Sequence, residues 1–100
     1  MRYEFDWDPV KDRNNVRRHR VSFRQAATIF RDPNQLSLYD EEHSEEDDDR
    51  WITIGLDNTG ILRVVVHTFE QLRADVVRIR IISARKATST EAGQYQEASL

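Results

Sequence analysis

The alternation of apolar and polar side chains along the chain predicts several β-strands. The stretch Tyr3-Glu4-Phe5-Asp6-Trp7 has period two, which places its three rings on one face of a short strand. Residues 51–56 and 61–69 are rich in β-branched side chains and are joined by a short loop, a pattern typical of an antiparallel hairpin. Residues 76–85 predict a long third strand, preceded by a turn at residues 72–75.

Capping patterns predict the helices. Asp8-Pro9 has the chemistry of a helix start, and a surface helix is expected from there to about Arg18, because few of its side chains are aliphatic. Residues 22–25 and 88–91 both have the pattern of a capping box, and Asp32-Pro33 ends the helix that the first box begins. The apolar side chains at helical spacing in that helix are Phe23, Ala26, Ala27 and Phe30.

The order of these elements indicates an α+β fold. We expect an antiparallel meander of four to five strands, with two N-terminal helices on one face, a short C-terminal helix, and the opposite face left free for function. One hundred residues are enough for one hydrophobic core, so residues 1–100 are interpreted as a single domain. A short strand at residues 36–39 leads into an acidic segment, about 40–49, whose like charges predict a loop.

Composition excludes several classes of protein. No apolar run approaches the 18 or so residues of a bilayer helix, and the acidic start has no secretory signal, so we expect a cytoplasmic protein. The chain has no cysteine, which excludes disulfides and thiolate metal sites. Its three histidines lack metal-ligand spacing, and no phosphate loop or serine elbow occurs, so neither a metal nor a cofactor is predicted.

The net charge of -3 hides a segregation of charge. Eight of the 18 acidic residues lie in the segment 40–49, so the other ninety residues carry 15 basic and 10 acidic side chains. Thirteen of the 15 basic residues are arginine, whose planar guanidinium suits bidentate contacts with phosphate. The sequence therefore favours a nucleic-acid partner if the arginines cluster, and an ordinary solvated surface if they do not.

Strand periodicity predicts such a cluster. If Leu62, Val64 and Val66 face the core, the alternate positions of the strand, including Arg63 and His67, face outward. The outward side chains of the last strand, Arg78 and Arg80, would then share that face with them. The neighbouring cations that could line its rim are Arg50, Arg85 and Lys86.

Two sets of short motifs carry a specific resemblance. The first runs from Phe5-Asp6-Trp7-Asp8-Pro9 through Arg18-His19-Arg20-Val21-Ser22-Phe23 to Phe30-Arg31-Asp32-Pro33. The second contains Val64-Val65-Val66-His67-Thr68 and Arg80-Ile81-Ile82-Ser83-Ala84-Arg85-Lys86-Ala87. Over residues 5–95 the chain resembles the BrnT family of bacterial toxins. The resemblance implies a RelE-like fold, endoribonuclease activity and a paired BrnA-like antitoxin, with operator DNA bound only through the toxin–antitoxin complex.

The resemblance also implies which residues act. Its functional positions fall on Arg50, His67, Arg80, Ser83, Arg85 and Lys86, with Glu91 and Tyr95 as further candidates. For RNA cleavage without a metal, we interpret His67 as a general base or acid, while Arg80 and Arg50 stabilise the phosphorane and Ser83 orients the substrate. The cations expected to contact RNA are Arg63, Arg78, Arg85 and Lys86.

Two alternatives remain open from the sequence. The chain has Phe69-Glu70-Gln71 after Thr68 and Ala92 after Glu91, where the family usually continues with Glu-Arg and with arginine respectively. One alternative is therefore a BrnT-like protein with weakened catalysis that serves as the binding partner of the antitoxin and as a corepressor. A plain nucleic-acid-binding module, supported only by the arginines, is the other.

Overall fold

The structure is a computed structural model that describes residues 1–44, 49–98 and 100; part of the predicted acidic loop, residues 45–48, lies outside the described residues. The helices among these residues are α1 (Pro9–His19), α2 (Phe23–Ala26) and α3 (Ser89–Ala98), and a 3-10 helix (Ala27–Arg31) continues α2. The strands are β1 (Arg2–Asp6), β2 (Leu36–Tyr39), β3 (Trp51–Leu56), β4 (Leu62–His67), β5 (Glu70–Arg73) and β6 (Val76–Lys86). No helix in the described part is long and apolar enough to cross a membrane.

The strands form one mixed sheet in an α+β fold. Its order is β1-β6-β4-β3-β2, and β5 pairs with β6. β1 runs parallel to β6, with Arg2 opposite Val76 and Asp6 opposite Arg80, whereas the other pairs are antiparallel. The predicted hairpin of β3 and β4 is confirmed, but the purely antiparallel meander of four to five strands is wrong. The sheet has six strands within the described residues, because β5 occupies part of the segment predicted as a turn.

One face of the sheet is covered by α2 and the 3-10 helix, whereas α1 lies alongside β6. The predicted apolar stripe of α2 is confirmed, since its four side chains are all buried there. The core also includes Val65 of β4 and the alternating side chains Val77, Ile79 and Ile81 of β6. Gly55 of β3 permits the close approach of the 3-10 helix, because a Cβ at this position would lie 3.1 Å from the Ile29 Cβ and 3.2 Å from its carbonyl oxygen.

Helix α1 is held to the sheet by a polar side chain. As predicted, α1 lies on the surface: even its aliphatic residues Val10 and Val16 are exposed, and its buried residue is Asn15. The Asn15 amide nitrogen donates to the Ala84 carbonyl at 2.9 Å, and its oxygen accepts from the Ala84 N–H at 3.1 Å. Asn15 also donates to the Val21 carbonyl. It therefore pairs with the backbone of β6 as a strand would, which fixes α1 alongside residues 82–84.

Helix α3 packs on the other face of the sheet. Its capping box is complete, because Thr88 Oγ1 accepts from the Glu91 N–H and the Glu91 carboxylate accepts from the Thr88 N–H. Tyr95 of α3 packs with Ile54 and Val64 in a second, smaller apolar cluster. The expectation that this face is left entirely free is therefore wrong, since α3 covers its β3–β4 side.

Candidate active site

His67, the predicted general base, is buried. Its side chain lies on the face covered by the helices, where the ring of Phe30 packs edge-on at a centroid distance of 5.0 Å. His67 Nδ1 donates to the Thr68 carbonyl at 2.8 Å, so Nε2 accepts from the Thr53 hydroxyl at 2.7 Å. Burial lowers the pKa of His67, although the Thr68 carbonyl opposes the shift. Both nitrogens of a neutral imidazole are thus engaged in this structure.

Arg63, predicted to contact RNA, is also buried. Its Nε donates to Asp57 Oδ2 at 2.9 Å, and Gln25 donates to the same oxygen at 3.0 Å. Burial alone would raise the pKa of Asp57, but hydrogen bonds from Thr59, Arg63 and Ile61 outweigh it and hold the pKa well below its ordinary range. Arg63 and Asp57 therefore form a desolvated ion pair within the β3–β4 hairpin, and the Gln25 hydrogen bond joins this hairpin to α2.

The predicted face assignment of β4 is wrong. The core side of β6, with Ile79 and Ile81, is the side on which His67 lies, so Arg78 and Arg80 point to the opposite face. The error has a physical origin: both sides of β4 are largely buried, and period two alone does not tell which side α2 and the 3-10 helix cover. The structure therefore does not gather His67, Arg63 and Arg80 around one phosphate.

The exposed arginines of β6 are paired with acidic residues. Arg80 donates to Asp6, its neighbour across the parallel β1–β6 pair, and both side chains are about half exposed. Arg78 Nη1 lies 3.9 Å from Oε2 of Glu70 in β5. Exposed pairs of this kind contribute about 0–1 kcal/mol to stability, so an incoming phosphate could replace either acid.

Arg85 and Glu91 form a bidentate pair, with nitrogen–oxygen distances of 2.7 and 2.9 Å. The Arg85 hydrogen bonds lower the pKa of Glu91 to about 2 against the effect of burial, and the same hydrogen bonds raise the pKa of Arg85. Tyr95 is buried, and its hydroxyl donates to Asp32 at 2.6 Å. Burial and Asp32 raise the pKa of Tyr95 to about 12. These contacts connect α3 to β6 and to the residue that follows the 3-10 helix.

The pair predicts a pH dependence of stability. The depressed pKa of Glu91 contributes stability that is complete above its ordinary value of 4.5 and is lost as the pH falls towards about 2. Because Arg85 is 42% exposed, we expect only about 0.5–1 kcal/mol. Urea unfolding at pH 7 and pH 2.5 should show a smaller acid-induced loss in Glu91→Gln than in the wild type. Glu97→Gln on the same helix is the control, and equal losses in all three proteins would contradict the prediction.

The other three residues of the predicted site are Lys86, Arg50 and Ser83. Lys86 is exposed at the end of β6. Arg50 is half-buried just before β3, and its N–H donates to the Ser44 hydroxyl. Ser83 lines a groove between α1 and β6. The catalytic and RNA-binding roles assigned to these residues, and to His67 and Arg80, stay predictions.

The α1–β6 groove, as we call it, is a concavity of about 250 Å³ that the sequence analysis did not identify. Its walls are Lys11, Asn14, Asn15, Arg18 and His19 of α1, with Ile82 and Ser83 of β6. Residues 11, 14/15 and 18/19 lie on one face of a helix, so the spacing was a usable signal. The sequence analysis missed the groove because it interpreted α1 only as a surface helix.

The groove combines positive charge with a group that can exchange protons. Lys11, Arg18 and His19 are exposed and form no ion pair with any described residue. Histidine is the side chain that gains or loses a proton most readily near neutral pH. Ser83 adds a hydroxyl. The described residues contain no group of three or more histidine or acidic side chains suited to a metal ion.

Together, the fold and the groove define a small α+β protein with a basic cleft. The sequence profile of the family "Ribonuclease toxin, BrnT, of type II toxin-antitoxin system" matches residues 7–91. The chain belongs to this BrnT family. A 1.1 Å crystal structure of the Brucella abortus ribonuclease toxin BrnT is similar in fold, with a TM-score of 0.58 and 19% identity over 89% of this chain and 100% of that one. No curated protein matches the sequence.

Proposed function

We propose that this chain is a metal-independent endoribonuclease toxin whose α1–β6 groove holds the scissile phosphate, and that a BrnA-like antitoxin neutralises it. The observation that supports the proposal is the grouping of His19, Lys11, Arg18 and Ser83 in one exposed groove. Membership of the ribonuclease toxin family supplies the reaction class.

The chemistry follows from what RNA cleavage requires. The 2′-oxygen attacks the adjacent phosphorus as its proton passes to a base, the bond to the 5′-oxygen breaks, and that oxygen takes up a proton from water. His19 is the proposed proton-transfer group. Lys11 and Arg18 stabilise the additional charge of the phosphorane, and Ser83 orients the phosphate by a hydrogen bond. The products are a 2′,3′-cyclic phosphate and a 5′-hydroxyl.

The purified chain, incubated with a labelled RNA in excess EDTA, tests this proposal. We expect cleavage at an undiminished rate, with 3′ ends that resist ligation until the cyclic phosphate is opened and the resulting phosphate is removed. Expression of the chain alone should arrest bacterial growth, and co-expression of the BrnA-like antitoxin should relieve the arrest. Activity that appears only after a divalent metal is added back would contradict metal independence.

A second candidate is an antitoxin-binding partner without catalytic activity. One observation favours it: His67 is enclosed, and three arginines of the sequence-predicted site, Arg63, Arg80 and Arg85, are each paired with a carboxylate. The same two experiments discriminate. No cleavage and no growth arrest, together with tight binding of the antitoxin, would support this second function.

A further inference from the structure

We propose that a second groove, on the helix-covered side of β1, binds single-stranded RNA by stacking its bases and contacting its phosphates. This groove, called here the aromatic–arginine groove, lies between β1 and the segment formed by α2 and the 3-10 helix and has a volume of about 460 Å³. The inference rests on the proposed ribonuclease function and adds a substrate-binding surface to it. The residues that carry it are Tyr3, Phe5, Trp7, Phe30, Arg2, Arg24 and Arg31.

The rings come together because of the alternation in β1. Tyr3 and Phe5 lie on the same side of the strand, with centroids 5.9 Å apart, and both contact Phe30 of the 3-10 helix. Trp7 continues the same wall beyond the end of the strand. Phe5 remains 37% exposed although its ring contacts both Tyr3 and Phe30. The groove therefore offers accessible aromatic surface.

The charges of the groove are all positive. Arg2, Arg24 and Arg31 are exposed and line it, and none of its lining residues is acidic. Arg24 and Arg31 form no ion pair with the described part of the chain, and Arg2 forms one exposed pair with Glu4 at 3.4 Å. The groove thus provides guanidinium groups for phosphates beside rings for planar groups.

This combination fits single-stranded nucleic acid better than other anionic partners. Cationic grooves with stacking rings are the common solution for binding single strands, because every base has a stackable face. A duplex does not fit, since its bases are already stacked and cannot reach rings recessed in a concavity. An acidic protein segment would satisfy the arginines but would leave the exposed Phe5 ring without a planar partner.

The aromatic surface also continues towards His67. A neighbouring cavity of about 280 Å³ shares Tyr3 and Phe30 with the groove and is closed on its other side by Trp51 and Phe69. His67 lines this cavity beside Phe30. The neutral, fixed imidazole described above therefore forms part of a mainly apolar wall. A strand bound in the aromatic–arginine groove could place a further base in this cavity.

Fluorescence anisotropy with a labelled 12-nucleotide 2′-O-methyl RNA, which the toxin cannot cleave, tests the inference. Phe5→Ala should weaken binding about 5- to 150-fold, with an unchanged salt dependence. The double variant Arg24→Gln/Arg31→Gln should reduce the slope of log K against log salt by about 1.4, the value for two lost phosphate contacts. Phe5→Trp should retain affinity. Controls are Tyr39→Ala and Arg73→Gln, exposed residues outside the groove, and thermal melts verify folding.

The outcomes separate this inference from the proposed function. Wild-type affinity in Phe5→Ala and in the double arginine variant would overturn the groove, even if the protein cleaves RNA. Groove-dependent binding without cleavage would instead refute only the ribonuclease activity. If the groove variants bind RNA normally but lose the antitoxin, the groove is a protein interface and the inference is wrong.

Discussion

Replacing His19 with alanine is expected to lower the rate of RNA cleavage by about 10²–10⁴-fold, the usual contribution of a positioned acid or base. The fold should not change, because His19 is exposed at the end of α1, and exposed substitutions alter the free energy of unfolding by about 0.5 kcal/mol or less. The measurement is the single-turnover rate of cleavage of a labelled RNA at pH values from about 5 to about 9. The pH dependence of cleavage should flatten in the variant, because the proposed proton-transfer group is removed.

A matched control is available in His43→Ala. His43 is also exposed, but its ring contacts Asp40 in the loop after β2, remote in sequence from α1. We expect wild-type cleavage from this variant. If His19→Ala cleaves RNA within about threefold of the wild-type rate, the α1–β6 groove is not the catalytic centre. A loss of activity confined to variants of His67 and Arg80 would instead restore the site expected from the sequence.

The local elements of this fold could be predicted because each depends on neighbouring residues. The start of α1 follows from the Asp8 side chain, which accepts from the Val10 N–H at 2.8 Å, and from Pro9 in the first turn. The start of α2 follows in the same way from Ser22, which accepts from the Gln25 N–H. In the second case the glutamine does not complete a capping box, because its side chain reaches Asp57 instead. That contact spans 32 residues and has no local signature.

The sheet order and the faces of its strands could not be predicted for a related reason. β1 lies beside β6 although more than sixty residues separate them, and the alternation within each strand is compatible with many partners. Leu62, Val64 and Val66 are apolar, but Val65 between them is fully buried on the other side. The deciding facts are where the helices pack and that Asn15 pairs with Ala84. Both are properties of the tertiary structure.

The candidate site was affected most by this ambiguity. A buried arginine and a buried histidine look in sequence like exposed functional residues, because their partners, Asp57 for Arg63 and Thr53 for His67, are revealed only by the fold. Ser83, predicted from the sequence to orient the substrate, lines the α1–β6 groove, and its role stays a prediction. The groove itself depends on two elements that meet only in the folded chain.

The largest effect on stability is expected at the pair Asp57–Arg63. Asp57→Ala removes the carboxylate that accepts from Arg63, Gln25, Thr59 and Ile61. It leaves the Arg63 side chain, of which only 8% is exposed, without its counter-charge. Breaking a buried pair from one side costs about 3–5 kcal/mol. Urea unfolding at neutral pH should show this loss, whereas Asp75→Ala, at an exposed aspartate in the β5–β6 turn, should change the free energy of unfolding by about 0.5 kcal/mol or less.

The double variant Asp57→Ala/Arg63→Met shows whether charge is the cause. Once the guanidinium is gone, no buried charge is left uncompensated, and an apolar side chain of similar length can occupy the same space. We therefore expect the double variant to be more stable than Asp57→Ala alone, with a coupling of about 0.5–3 kcal/mol between the two positions. Equal stability of the single and double variants would locate the effect in the turn bonds that Asp57 accepts from Thr59 and Ile61, because those bonds are lost in both proteins.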